Sequence, residues 1–163
     1  MEDQNVGGIF NRASYTKNIF NIKKTVDILP SDLNELLSFI ADDTIITAPV
    51  FSMSPFDLNK KNQLNGIDSA YNQCIEDDYS SFQDIEDSLI NDSTGELKAK
   101  YKIATDILNR QYAATFSGKM GDFITAVLVE FKKEKNPSDL EITKLGKLLN
   151  YMYANCHIGI KPW

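Results

Sequence analysis

The chain has 163 residues, of which 42% are hydrophobic and 25% charged, with a formal net charge of −6. That length supports one domain with its own core, and the composition excludes a disordered, fibrous or membrane-embedded class. The longest candidate span, Thr44 to Phe56, carries two prolines and several hydroxyls and falls short of the roughly 20 apolar residues that crossing a bilayer requires.

Residues 5–28 do not read as a helix. Ile9-Phe10-Asn11 recurs as Ile19-Phe20-Asn21, and Asn18, Ile22, Val26 and Ile28 continue a period of about two. Gly7-Gly8 and Arg12-Ala13-Ser14 supply turn chemistry, so two short strands or a polar ribbon fit. Exposed aromatics on such a ribbon form a sticky edge. Phe10 and Phe20 therefore either fold back onto the core or bind a partner chain by strand addition. Pro30-Ser31 opens a helix through about Asp42, with Ser31 as N-cap and Leu33, Leu36, Leu37 and Ile40 on one face. Residues 44–58 read as extended, because Pro49 and Pro55 interrupt any helix, and Asn59 to Gly66 as a polar loop. From Ile67 to Ile90, Tyr71, Ile75, Tyr79, Phe82, Ile85 and Leu89 step by four and three, predicting one long amphipathic helix. Ser93-Thr94-Gly95-Glu96 reads as a capping box before a helix with Leu97, Tyr101, Ala104, Leu108 and Tyr112 inward. Gly118 and Gly121 precede an element over Asp122–Glu134, closed by Asn136-Pro137. Ser138 and Glu141 form a second capping box, opening a helix to about Tyr153 with Leu145, Leu148, Leu149 and Met152 inward. The expected fold is mainly α, a bundle of four to five helices with a minor N-terminal β element: an extended segment over 1–30 and a helical domain over 31–163.

Charge is unevenly placed. Residues 76–96 hold eight acidic groups and no basic one, whereas residues 97–163 hold six acidic and eleven basic groups. The simplest use of this dipole is helix-to-helix complementarity inside the chain, with phosphate binding by the basic third as the alternative. Met1-Glu2-Asp3-Gln4 shows neither a basic nor an apolar leader region, so a cytoplasmic location is expected, with Cys74 and Cys156 as reduced thiols.

Candidate chemistry is sparse. Asp122, Glu130 and Lys132 have the acidic-residue, Glu-x-Lys spacing of a Mg²⁺-dependent nuclease, in which two carboxylates bind the metal and the lysine stabilises phosphate charge. That reading requires Phe123 to Val129 to be a buried strand; the same residues also fit a helix, which is the expected reading because no convincing strands surround them to complete a sheet. Cys156-His157 and Cys74 are too few and too scattered for a four-ligand zinc site, so no metal or cofactor is expected. Phosphate loops and dinucleotide-binding turns are absent. With a single histidine and no paired carboxylates, the chain reads as a non-enzymatic protein. Its last residues, Ile158-Gly159-Ile160-Lys161-Pro162-Trp163, combine a turn-permitting glycine, a direction-fixing proline and a large amphipathic ring. Ile158, Gly159, Pro162 and Trp163 are candidates either for docking a partner or for sealing the core.

Asp78-Tyr79, then Gly95-Glu96-Leu97 with Tyr101, then Ile158-Gly159-Ile160-Lys161-Pro162 resemble motifs of the C-terminal domain of prokaryotic ABC-three component systems, over about residues 67–163. Ile160 and Lys161 stand where that pattern has Trp and His, and Trp163 falls after the proline. The polar ribbon at 5–22 is similar to the lead-in of some effectors of that class. The resemblance implies a helical subunit of an antiphage or conflict complex. Its partners would be an ABC- or SMC-like ATPase and a small middle component. Nucleic acid would be met only through the complex, membrane not at all, and a homo-oligomer remains open. Residues 1–66 leave no room for a separate effector domain, so catalysis is expected to lie with a partner.

Overall fold

A computed structural model of the chain describes residues 27–41 and 57–163. They form seven α-helices: α1 (Pro30–Ala41), α2 (Leu58–Leu64), α3 (Ser69–Asp77), α4 (Tyr79–Ile90), α5 (Glu96–Gln111), α6 (Met120–Lys135) and α7 (Asp139–Ala154). One π turn, Tyr112–Phe116, prolongs α5. There is no strand among the described residues, and the helix count exceeds the four or five expected. The minor N-terminal β element thus finds no support; most of the ribbon at 5–28 and the stretch at 44–56 lie outside the described residues.

The core is built around α7. Every residue from Ile142 to Tyr153 except Lys144 is buried, the signature of a helix enclosed on all sides rather than lying on a surface. Helices α3, α4, α6 and α1 pack against it, and α1 lies along α5. The Ser138–Glu141 capping box is present, with the Glu141 carboxylate returning to the Ser138 amide at 2.7 Å. Asn136 closes α6 in the left-handed conformation, φ +46°. Leu97, Tyr101, Ala104, Leu108 and Tyr112 all face inward as their spacing predicts.

Four local readings are corrected. Helix α1 starts at Pro30, whose missing N–H costs nothing there, and Asp32 rather than Ser31 serves its end by accepting from the Leu29 amide at 2.8 Å. Residues 58–64 are helix, not loop: Asp57 caps the first turn, accepting from the Asn59 and Lys60 amides. The polar residues that mimicked a loop, Lys61, Asn62 and Asn65, are buried and hydrogen-bonded. The helix expected across 67–90 breaks at Asp78, leaving Tyr79 exposed. Asp78 is fully buried, its two carboxylate oxygens receiving Lys147 Nζ at 2.9 Å and Asn150 Nδ2 at 2.8 Å. Lys147 also reaches Ser81 Oγ at 3.0 Å, and the Tyr71 hydroxyl donates to Asn150. Finally, Gly95 sits in the left-handed region at φ +77°, and no capping box forms there. Asp92 accepts instead from the Lys98 amide, and the Thr94 hydroxyl from that of Glu96.

Candidate docking site

The segment after α7 returns along the bundle and is tied down by side chains from α2 and α5. Lys61, enclosed completely, donates from Nζ to the carbonyl of Tyr153, in the last turn of α7, and to that of Ile158 at 3.1 Å. The Tyr153 carbonyl belongs to the negative end of the helix, so the ammonium acts there as a buried C-terminal cap while also holding the Ile158 carbonyl of the following segment. The same Nζ lies 4.1 Å from the Tyr153 ring centroid. Desolvation dominates nonetheless and lowers the Lys61 pKa to about 8; the neighbouring Cys156 opposes it. Burial pushes the Cys156 thiol up, while Lys61 draws it down.

Two asparagines then hold the backbone of residues 157–160 as a strand partner would. Asn65 donates from Nδ2 to the Ile160 carbonyl at 2.8 Å and accepts at Oδ1 from the Ile160 amide at 2.7 Å. It also accepts from the Tyr112 hydroxyl and donates to the Lys61 carbonyl, so its side-chain amide is fully used. Asn109 likewise donates to the His157 carbonyl at 2.7 Å and accepts from the Gly159 amide at 2.9 Å. The Tyr101 hydroxyl lies 2.6 Å from His157 Nδ1. Burial raises the Tyr101 pKa well above 10, so the phenol beside the imidazole stays protonated. Burial, with Lys61 and Lys161 nearby, lowers the His157 pKa to about 4.

This anchoring sorts the tail residues identified from the sequence. Ile158 is wholly enclosed and Pro162 is buried. Gly159 adopts φ +90°, and a Cβ there would lie 2.8 Å from both Asn65 Oδ1 and Met120 Cε, so only glycine fits. Trp163 is 68% exposed, with Lys161 Nζ 5.5 Å from its ring centroid. The exposed ring thus follows a stretch of backbone, residues 157–160, that Asn65 and Asn109 hold in place. Phe10 and Phe20 lie outside the described residues.

The structure does not assemble the alternative nuclease constellation. Asp122, Glu130 and Lys132 lie on α6, where a strand was required. Eight helical residues separate Asp122 from Glu130 by about 12 Å, and a two-residue step turns Lys132 about 200° from Glu130. Among the described residues no group of three His, Cys, Asp or Glu side chains could hold a metal ion. Cys74 is buried in α3, its thiol donating to the Ala70 carbonyl, and Cys156 is buried as well. No helix among the described residues is long and apolar enough to cross a membrane. Sequence reasoning missed Lys61, Asn65 and Asn109, whose polar character reads as surface; the one available signal was their need for partners if buried.

One family matches the chain: that described as C-terminal domain 12 of the ABC-three component systems, over residues 22–159. Neither a curated protein nor a solved structure matches.

Proposed function

The chain belongs to the family of C-terminal domain 12 of the ABC-three component systems, and from that membership we propose that it is a docking subunit of a prokaryotic antiphage or conflict complex. In this reading it is non-enzymatic and binds an ABC- or SMC-like ATPase together with the small middle component. The observation that carries the reading is the family match; the exposed Trp163 ring beside a rigidly held tail supports it as the point of contact. A ring exposed in the free protein contributes little to folding, yet its burial in a pocket on a partner commonly accounts for about 2 kcal/mol of binding. Phe10 and Phe20 belong to the same proposal as a second contact.

The test is co-expression of the tagged chain with the products of its neighbouring genes, followed by purification and mass determination. A stoichiometric complex containing an ABC-type ATPase is expected, and Trp163→Ala should weaken it while leaving thermal stability unchanged. Purification of the chain without any ATPase would overturn the docking role. An intact complex in the Trp163→Ala protein would remove the tail from it.

A further inference from the structure

Helix α4 carries a face that is largely open to solvent among the described residues. At 100° per residue Tyr79, Gln83, Glu86 and Ile90 fall within about 60° of one another, a strip about 16 Å long. Its two ends are apolar and open to solvent: Tyr79 is 46% exposed and Ile90 64%. The Tyr79 ring rests on Phe82 at 5.3 Å, and Phe82 on the buried Tyr151 at 5.4 Å. The outer ring is therefore held from beneath by the core, a stable platform rather than a loose side chain.

The charges around this strip are arranged against the stability of the isolated helices. Glu76 and Asp77 occupy the last turn of α3 and Asp87 the last turn of α4, where exposed carbonyls already concentrate negative potential, and neither turn contains a basic residue. Between Glu76 and Glu96 the sequence has no Lys or Arg at all. Lys147 compensates the buried Asp78 from inside the bundle. Glu76 and Asp87 instead accept from the neutral amides of Asn72 and Gln83. A cationic surface laid along α4 would relieve both helix ends at once and cover the two apolar side chains.

We propose that this face of α4 binds a basic amphipathic helix of another protein, its apolar side chains against Tyr79 and Ile90 and its lysines or arginines against Glu86, Asp87 and Glu76. The proposal does not use Trp163 and does not depend on the tail being the docking element. The acidic face rejects a nucleic acid, and the mixed apolar and anionic character selects a helix with charges on the flanks of an apolar stripe.

The probe is a synthetic 18-residue helical peptide with leucines at positions i, i+3, i+4 and i+7 and lysines between them, with a glutamate counterpart as control. It is titrated into the full chain at physiological salt while backbone amide shifts are followed by NMR. The expected result is saturable binding with perturbations concentrated on residues 76–91, and none with the glutamate peptide. Ile90→Ser, and separately Glu86→Gln with Asp87→Asn, should each weaken binding by about tenfold, whereas Trp163→Ala should not. All four side chains are surface groups, so these variants should retain the wild-type melting temperature. Perturbations centred on another face, affinity unchanged in both variants, or no binding would overturn the proposal. So would concentration-dependent dimerisation abolished by Ile90→Ser, which would make a second copy of this chain the occupant.

Discussion

Lys61 and Lys147 are both completely buried, and the two regions around them hold their ammonium groups by opposite means. Lys147 faces a carboxylate: Asp78 at 2.9 Å, itself braced by Asn150, with Ser81 completing the lysine's shell. Lys61 faces dipoles, the carbonyls of Tyr153 and Ile158 together with the Tyr153 ring, which do not make up for desolvation, and burial lowers its pKa to about 8. The first arrangement staples α4 to α7, where a full opposite charge offsets part of the desolvation. The second fastens an irregular segment, one cation satisfying a carbonyl at the end of α7 and another in the segment that follows. A charge pair locks elements that are already regular, whereas a cation among carbonyls gives form to backbone that has no ladder of its own.

The comparison breaks most severely at Asp78. Asp78→Ala leaves the Lys147 charge buried without its counter-ion and should cost about 3–5 kcal/mol in a denaturant titration. Adding Lys147→Met to that variant should recover part of the loss, because an apolar pair needs no compensation. If the double variant is no more stable than the single, Asp78 acts mainly through its break between α3 and α4 rather than through charge.

On the tail side, Gly159→Ala should cost about 2 kcal/mol, from a left-handed backbone plus contact with Asn65, whose amide has no slack. A loss below about 0.5 kcal/mol would show that the tail can move away from Asn65. Acid probes the same region through His157. Its folded pKa of about 4 lies below the ordinary 6.5, so the unfolded chain binds more protons between these values. Stability contributed by neutral His157 should therefore be present above pH 6.5 and be lost as pH falls to 4, by about 3 kcal/mol. Buried Asp78, whose carboxyl burial pushes up, has the opposite sign, so the comparison is made against His157→Gln, in which this acid loss should vanish.

Lys61→Met sharpens the contrast with Lys147. It removes a desolvated cation along with two hydrogen bonds, so the net change at pH 7 should be about 1 kcal/mol or less. The alkaline profile is more telling. A lysine pKa lowered from 10.5 to about 8 means that the unfolded chain binds more protons, so stability should rise as pH climbs through 8. The raised Cys156 thiol and the raised tyrosines counter this above about pH 9. The rise between pH 8 and 9 should be missing in Lys61→Met; its persistence would assign it elsewhere. Smallest of all is Trp163→Ala, with a melting transition equivalent to wild type within about 0.5 kcal/mol, since the ring is mostly in water.

Where apolar spacing carried the information, the sequence by itself determined the result. The inward faces of α5 and α7, the Ser138–Glu141 capping box and the stop at Asn136-Pro137 follow from period, cap chemistry and turn residues, all of which act within a few positions. The acidic block was equally legible as composition, and the motif residues at Asp78, Gly95 and Ile158 pointed to the right family. Polar residues that become core were not legible. Asn59 to Gly66 read as loop because Lys61, Asn62 and Asn65 are hydrophilic, and Asp78 read as one more solvated carboxylate in a continuous helix. Their partners lie far along the chain: Lys61 bonds to residue 158, Asn65 to residue 160, Asn109 to residue 157, Asp78 to residue 147. Local patterning reports which side chains prefer to leave water. Whether a lysine or an asparagine can do so depends on finding its hydrogen bonds at the same point in space, and only the tertiary structure decides that.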